Sequence, residues 1–202
     1  MGFDFRVGTG YDIHRLVPDR RLIIGGIEIP YERGLLGHSD ADVLTHAIMD
    51  GMLGALGLGD IGHYFPPSDL QWKDANSILL LSEVHKMVKD QGWHIHNIDT
   101  SIVMEKPKLK PFIMEIRQSL AANLGLDTDR VSVKARTNEG LDSIGEGDAI
   151  AVHAVVLLRK EVKWDRDFYR FYCWFWLLYR SLVVQALLIL INKGYLYRSI
   201  LI

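Results

Sequence analysis

The chain has 202 residues, of which 49% are hydrophobic and 24% are charged, and its formal net charge is −2. This length allows one compact domain with a sizeable core, and the near-neutral charge argues against nucleic-acid binding through a general basic field. The single cysteine excludes an internal disulfide framework, and the first residues carry no apolar run typical of a signal peptide. We therefore expect a cytoplasmic protein.

The predicted elements alternate between strands and helices. Apolar alternation predicts strands at 5–14, on both sides of Gly25-Gly26, at 93–104, 130–136 and 149–160. Helical periodicity with end signals predicts helices at 40–56, 75–92 and 109–125. For the first helix we expect Ser39 or Asp40 as N-cap and Gly57 or Gly59 as the stop. This order predicts an α/β fold, a mixed sheet with helices packed on one face.

Composition divides the chain near its C-terminus. Residues 161–202 carry six basic and three acidic side chains, and only four residues in 168–191 are polar. We predict a domain at 1–160 and an appendage at 161–202 that forms an extra hydrophobic helix. The stretch is long enough to span a bilayer, although Arg180 near its middle is costly there. A packed partner helix and a segment not native to the domain are the alternatives.

The segment GTGYDIHRL (8–16) places an acid and a histidine two residues apart. In a strand Asp12 and His14 point the same way, with Cα atoms about 6–7 Å apart. That spacing suits two ligands of one metal ion. On its own, such a pair is more often a solvated strand face or two hydrogen-bonded residues.

The helix predicted at 40–56 offers a third ligand. Asp42, His46 and Asp50 are spaced four apart and form one stripe, opposite an apolar side. His46 could complete an Asp/His/His set with Asp12 and His14, which is the ligand pattern of a catalytic zinc site with one open position. Two imidazoles argue against magnesium or calcium at that place. Asp50 could support the ligands or serve only as a structural partner.

Loop residues add further candidates. His38 and Ser39 precede the helix, where backbone N–H groups can bind an anion, although Ser39 could be only a cap. Glu139, beside Thr137 at a strand end, could hold a second, hard divalent ion. Taken separately, these residues are also ordinary turn residues.

Together, four segments resemble one family: GYDIHRL (10–16), the long run from Leu22 to Asp69, EKPKLKPFI (105–113), and the run from Val133 to Leu158. The chain resembles the 2-C-methyl-D-erythritol 2,4-cyclodiphosphate synthase family over about residues 4–160. The resemblance implies an α/β homotrimer with active sites between neighbouring subunits.

The resemblance implies a reaction that needs no Ser or Cys nucleophile. The 2-phosphate of a 4-diphosphocytidyl methylerythritol 2-phosphate attacks its own β-phosphate, closes a cyclic diphosphate and expels CMP. The cofactors implied are Zn²⁺ or another divalent transition metal, and Mg²⁺ or Mn²⁺. The partners implied are the cytidine diphosphate substrate and further copies of the chain. A membrane is an additional partner if 168–191 inserts.

The same resemblance assigns roles to residues of this chain. Zinc ligands match Asp12, His14 and His46, and the magnesium-associated acid matches Glu139. The residues that steady the transition state match His38 and Thr137. The positions that match substrate contacts are Asp12, Ile13, His14, His38, Ser39, Asp60, Ile61, Gly62, Phe65, Pro66, Asp69, Met104, Lys108, Leu109, Arg136, Thr137, Asn138 and Glu139.

The chain departs from the common family pattern at three places. Pro67 stands where an acid is frequent, Glu146 stands where an arginine is frequent, and the family does not usually have the tail. Two other functions therefore stay open. One is a metal-dependent phosphoesterase or nucleotidase, and the other is a membrane-tethered nucleotide-binding module without turnover.

Overall fold

The computed structural model describes residues 2–162 together with Trp176 and Tyr179. Seven strands lie within 2–162: β1 Gly2–Pro18, β2 Leu22–Ile24, β3 Ile27–Ile29, β4 Arg33–Leu35, β5 His94–Val103, β6 Val131–Arg136 and β7 Ala149–Val162. The α-helices of this range are α1 Val43–Ala55, α2 Ile61–Tyr64, α3 Ser77–Asp90, α4 Ile113–Leu124 and α5 Asp142–Gly145. Short 3-10 turns occupy Leu70–Trp72 and Thr128–Arg130.

Five strands form one sheet in the order β4-β1-β7-β5-β6, and β2 pairs with β3 as a separate hairpin. The larger sheet is mixed, because β5 runs parallel to β6 and antiparallel to β7. The prediction of a mixed α/β fold is therefore confirmed. The hairpin predicted around Gly25-Gly26 is also present, and both glycines have positive φ, as a tight two-residue turn requires.

Helix α1 occupies the centre of the core. Nearly all of its residues are buried, as expected of a helix covered on more than one side. The predicted N-cap was wrong, because the helix begins at Val43 and its cap is Asp42. The side chain of Asp42 accepts from the backbone N–H of Thr45, a bond that neither Ser39 nor Asp40 makes.

The other long helices agree with their end signals. Helix α3 ends at Asp90, shortly before Gly92, and α4 ends at Leu124 with Gly125 in the left-handed region. The sequence did not predict β4, α2 or α5. Segments of three or four residues are too short to show a period, and these three do not flank a hairpin turn signal such as the Gly25-Gly26 pair between β2 and β3.

The predicted hydrophobic segment at 168–191 lies outside the described residues, apart from Trp176 and Tyr179. Within the part of the chain that the structure describes, none of the helices is both long and apolar enough to cross a membrane.

Candidate functional site

Strand β1 approaches α1 so closely that only glycine fits at two positions. A methyl group on Gly10 would lie 1.9 Å from the carbonyl oxygen of Ala47, and one on Gly8 would lie 2.0 Å from that of Gly51. Both glycines are buried, as alternate residues on the helix-facing side of the strand. Asp12 and His14 continue this side, so the close approach brings them to α1.

Asp12, His14 and His46 converge as the spacing predicted. One ligand atom from each lies within 4.8 Å of the others. Asp12 Oδ2 is 3.0 Å from His14 Nε2 and 3.0 Å from His46 Nδ1, and the two ring nitrogens are 3.3 Å apart. Their side chains are 22%, 19% and 9% exposed, respectively, so a ligand can still reach the group. Asp12 and His14 therefore do not lie on a fully solvated strand face. They lie within hydrogen-bond distance of each other, which fits both a hydrogen-bonded pair and a pair of metal ligands.

The hydrogen bond on the far side of His14 shows which way its ring is protonated. His14 Nδ1 lies 2.7 Å from the carbonyl oxygen of Leu36, and a carbonyl can only accept, so Nδ1 donates. In the neutral ring, Nε2 then presents a lone pair to the Asp12 carboxylate. Two acceptors at 3.0 Å need a cation between them, either a proton or a metal ion. The residues therefore fit a divalent transition metal with one carboxylate and two imidazole ligands.

The pKa values in this group reflect the same attraction for positive charge. Burial alone would raise the pKa of Asp12, but hydrogen bonds from His14 and His46 hold it well below the usual range of a carboxyl. Burial alone would lower the pKa of His14, but the adjacent Asp12 carboxylate raises it above its ordinary value. Both shifts favour positive charge beside the Asp12 carboxylate, and either a proton on a ring or a metal ion can supply it.

The other two acids of the α1 stripe have separate tasks. Asp42 is fully buried, and its carboxylate accepts from the N–H groups of Gly25, Gly26 and Thr45 and from the Thr45 hydroxyl. Burial raises the pKa of this carboxyl. Asp42 thus fastens the β2–β3 turn to the start of α1, and does not point to the metal ligands.

Asp50 connects α1 to the Asp60-Ile61-Gly62 turn. Its Oδ1 accepts from the N–H of Ile61 at 2.9 Å, while Asp60 caps α2 through the N–H of His63. Burial, followed by the nearby Asp60 charge, raises the pKa of Asp50. This contact lies one helical turn after His46, so it holds the predicted substrate turn close to the candidate metal ligands.

The predicted substrate loop after α2 is held by its own contacts. Phe65 packs edge-on against Trp72, with ring centroids 5.1 Å apart, and Asp69 caps the turn at Leu70–Trp72. Pro67, which stands where the family frequently has an acid, is exposed. Asp69 therefore keeps a definite structural role in the altered loop.

A second group of predicted residues surrounds a cavity of about 340 Å³. Met104 and Leu109 are buried in its wall. The full lining is Met104, Pro107, Lys108, Leu109, Lys110, Ile113, Ala135, Arg136 and Thr137. Two loops meet here, one after β5 and one after β6, where the parallel strands end at the same edge of the sheet.

Glu105 joins these two loops. Its Oε1 accepts from the N–H of Asn138 at 2.9 Å and from the N–H of Gly140 at 3.4 Å. Between them, Glu139 has a φ of 53°, and its Oε1 accepts from the Thr137 hydroxyl at 2.5 Å. The turn therefore holds the hydroxyl of Thr137 and the carboxylate of Glu139 together at the cavity rim.

The triad and the cavity are two separate places on one chain. Of the described residues that line the cavity, none is a member of the Asp12, His14 and His46 triad. Strand β7 lies between β1, which carries the triad, and β5, which leads to the cavity. Ser39 lies beside the triad, with its Oγ 3.1 Å from His46 Nε2, and His38 precedes it in the loop before α1. Glu146 is exposed.

Sequence reasoning missed two residues that hold the site. Glu105 lies inside the predicted loop, but nothing in its neighbours indicates that it binds amides 33 and 35 residues away. Ser77 is the first residue of α3, and its hydroxyl lies 3.0 Å from His46 Nε2. A serine at a helix start usually suggests only a cap, so no local pattern could reveal this contact.

The fold and the triad define a class of protein: a mixed α/β domain with a candidate metal centre of two histidines and one aspartate. A model of the YgbB family matches residues 5–159. The chain belongs to this family.

Curated relatives match over nearly their whole length. A protein of Nostoc punctiforme is 61% identical over 156 residues, covering 77% of this chain and 98% of the relative. A protein of Gloeobacter violaceus is 62% identical over 159 residues, covering 79% and 98%. Both are named 2-C-methyl-D-erythritol 2,4-cyclodiphosphate synthase.

Solved structures agree with the fold. A 2C-methyl-D-erythritol-2,4-cyclodiphosphate synthase in a CDP-bound form is 37% identical with a TM-score of 0.71, covering 76% of this chain and 99% of that one. The Plasmodium falciparum IspF in complex with CDP is 34% identical with a TM-score of 0.70, covering 78% and 97%.

Proposed function

We propose that this chain converts 4-diphosphocytidyl-2-C-methyl-D-erythritol 2-phosphate to 2-C-methyl-D-erythritol 2,4-cyclodiphosphate and CMP, in the non-mevalonate isoprenoid pathway. The observation that carries the proposal is the convergence of Asp12, His14 and His46 within 4.8 Å. The chain belongs to a family whose relatives named above are cyclodiphosphate synthases.

The proposed reaction is an intramolecular displacement at phosphorus. An oxygen of the 2-phosphate forms a bond to the β-phosphorus, and the bond from that phosphorus to the oxygen bridging to the α-phosphate breaks. CMP leaves with that electron pair, and no water is consumed. Because the nucleophile is already an anion, the protein needs to position the substrate and reduce phosphate repulsion.

Two cation sites suit this task. Asp12, His14 and His46 would hold Zn²⁺ or another divalent transition metal, and Glu139 would hold Mg²⁺ or Mn²⁺ on phosphate oxygens. Bound ions would supply positive charge that stabilises the phosphates as they approach. The carboxylate of Asp12 and the ring orientation of His14 prepare the first of these sites.

The cavity beneath Met104 and Leu109 suits the cytidine end of the substrate. Its wall is apolar, and Lys108, Lys110 and Arg136 stand around it, so a ring and a nearby phosphate both find partners. Two solved relatives hold CDP, which supports a nucleotide ligand of this class. Glu105 would fix the position of the Thr137–Glu139 pair relative to the cavity, through its bonds to the N–H groups of that loop.

His38 and Thr137 are the proposed residues that steady the transition state. His38 directly precedes Ser39, whose Oγ is 3.1 Å from His46 Nε2, and Thr137 lines the cavity. Asp60, Ile61 and Gly62 would contact the substrate from the turn that Asp50 holds. With these roles, the substrate has protein contacts near the cation proposed at the triad and near the cation proposed at Glu139.

We also propose that the chain works as a homotrimer, with each site shared by neighbouring subunits. The outer face of β1 carries a row of large exposed apolar side chains, which monomers rarely leave open to water. They are Phe3, Phe5, Val7, Tyr11 and Ile13, each between 42% and 64% exposed. A second copy on this face would cover them. A neighbouring copy's cavity would also complete the site, because none of the described residues that line this chain's own cavity belongs to the triad.

Substituting Val7 with glutamate tests this assembly. We expect light scattering of the full-length protein to give a particle mass of three times the 23.0 kDa of one chain. Val7→Glu should lower this mass toward that of the monomer, because a charge buried without a partner is costly. Leu79→Glu is the matched control, since Leu79 is 66% exposed on α3. A monomeric wild-type protein would refute the trimer.

The domain and compartment assignments also remain proposals. We propose that 1–160 is the catalytic domain, supported by the compact unit at Phe3–Lys160 and by the family match that ends at 159. Residues 161–202 would then be a separate appendage. The single cysteine of the chain supports a cytoplasmic location.

A product assay tests the function against its alternatives. With metal-loaded protein and the diphosphocytidyl substrate, we expect one CMP per substrate and no inorganic phosphate. Release of inorganic phosphate would support a phosphoesterase. Binding of CDP without any turnover would support a nucleotide-binding module.

A further inference from the structure

Behind His46, on the side away from Asp12, lies a chain of hydrogen-bonded polar groups that runs through the buried Ser77 to the half-buried Asp40. His46 Nε2 is 3.0 Å from Ser77 Oγ, and Ser77 Oγ is in turn hydrogen-bonded to Asp40 Oδ1. The other carboxylate oxygen of Asp40 accepts from the backbone N–H of Ser77 at 3.0 Å. Ser77 is fully buried. Its hydroxyl therefore depends on these protein partners.

The donors and acceptors along this chain fix its direction. The Asp40 carboxylate can only accept, so the one hydroxyl proton of Ser77 goes to Asp40. Ser77 Oγ then has lone pairs available and accepts from the N–H at His46 Nε2. A neutral imidazole protonated at Nε2 has its lone pair at Nδ1. That atom is the one that faces Asp12 and His14.

Ser39 supports the same arrangement. Its Oγ lies 3.1 Å from His46 Nε2 and accepts from the N–H of Ala41 at 3.2 Å. Ser39 Oγ also lies 3.4 Å from Ser77 Oγ, which can accept the Ser39 proton and leaves Ser39 Oγ free to accept from His46 Nε2. The His46 ring is thus held from behind by two hydroxyls, and only one of these, that of Ser77, is connected to a carboxylate. A ring fixed in this way cannot turn its Nε2 toward the triad without losing both contacts.

Three separate parts of the fold are needed to build the chain. Asp40 lies in the loop before α1, Ser77 begins α3, and His46 lies on α1. Backbone bonds fasten the loops to each other, from Asp40 N to the Ala75 carbonyl at 3.0 Å and from Asp74 N to the His38 carbonyl at 2.8 Å. The position of Asp40 relative to Ser77 is therefore set by backbone structure on both sides.

We propose that Ser77 and Asp40 are positioning residues that fix the ring orientation and tautomer of His46, and so raise the affinity of the triad for a divalent transition metal. This inference rests on the proposed function, which gives the triad its metal. Partners of this kind behind a metal-binding histidine typically change affinity by roughly 10–100-fold.

The test measures metal affinity rather than turnover. Full-length wild-type, Ser77→Ala, Asp40→Asn and Ser82→Ala proteins are stripped of metal and titrated with Zn²⁺ and Co²⁺ against a chelator of known affinity. Ser82 is the matched control, because it is an exposed serine of the same helix whose hydroxyl bonds only to the Ile78 carbonyl. We expect Ser77→Ala and Asp40→Asn each to weaken both metals roughly 10–100-fold, and Ser82→Ala to match wild type.

Asp40→Asn keeps the shape of the side chain and adds a second check. The N–H of Ser77 would hold the amide oxygen, so the amide NH₂ would face Ser77 Oγ and reverse the direction of donation toward His46. We expect the Co²⁺ absorption spectrum of this variant to change as well as its affinity. Asp40 Oδ1 also accepts from the N–H of Asp42 at 3.3 Å, so the substitution removes that bond too, and we expect a small loss of stability in the metal-free protein. This variant also carries the test if Ser77→Ala does not fold.

The outcomes separate the inference from the function on which it rests. Equal metal affinity in all four proteins would overturn the positioning role and leave the proposed function standing. A wild-type protein that binds neither Zn²⁺ nor Co²⁺ would overturn the metal centre itself. Weakened metal binding in Ser77→Ala and Asp40→Asn alone supports both the positioning role and the metal centre.

Discussion

Replacing His46 with alanine is expected to remove the bound zinc and with it the release of CMP. His46 supplies one of only three ligand atoms in the triad, and two ligands do not make a stable zinc site. We expect the zinc content to fall from about one ion per chain to nearly none. Turnover should fall by at least about 10²–10³-fold, the usual effect of removing charge stabilisation at a transition state. Metal analysis and a CMP assay check both.

His94→Ala is the matched control for this substitution, because His94 is an exposed histidine at the start of β5. It should keep full zinc content and full turnover. A His46→Ala protein that retains zinc at full stoichiometry would contradict the assignment of the triad. The wild-type far-ultraviolet circular dichroism spectrum should persist in both variants.

Replacing Gly10 with alanine is expected to produce the largest loss of stability. The added methyl group would lie 1.9 Å from the carbonyl oxygen of Ala47, 2.8 Å from its carbonyl carbon and 2.9 Å from Gly51 N. All three are backbone atoms of α1, so β1 and α1 would have to separate. We expect the free energy of unfolding to fall by about 3 kcal/mol or more, measured by denaturant titration.

Gly54→Ala on the same helix is the matched control. Its methyl group would meet only the Thr9 carbonyl at an ordinary 3.8 Å, and alanine favours a helix over glycine by up to about 1 kcal/mol. This variant should be as stable as wild type or more so. If Gly10→Ala were equally stable, β1 would not lie against α1, and the basis for the meeting of Asp12 with His46 would fail.

The candidate metal ligands could be predicted because both periodicities were visible in the sequence. Asp12 and His14 share a strand face at a spacing of two, and His46 lies in a clear helical pattern. What the spacing could not show is that Gly8 and Gly10 bring that strand into backbone contact with α1. That contact brings Asp12 and His14 to His46 and away from a fully solvated strand face.

The α1 stripe shows where pattern reasoning ends. Asp42, His46 and Asp50 do share one side of the helix, but their partners differ: the β2–β3 turn, the triad and the α2 turn, respectively. Spacing on a helix predicts a shared face, and the tertiary fold decides what that face meets.

Contacts between distant segments could not be predicted. Ser77 follows His46 by 31 residues, and Asn138 follows Glu105 by 33. Each contact depends on how whole elements pack, because no propensity or period links such positions. The short elements β4, α2 and α5 were missed for the different reason that three or four residues carry too little pattern.

Turnover in water enriched in ¹⁸O tests the central claim most directly. If the 2-phosphate of the substrate attacks its own β-phosphate, mass spectrometry should find no solvent ¹⁸O in CMP or in the cyclic diphosphate, with the two products in equal amounts. Solvent ¹⁸O in CMP, or in an open-chain bisphosphate released in place of the cyclic diphosphate, would mean that water is the nucleophile. That result would contradict the cyclisation and identify a metal-dependent phosphoesterase.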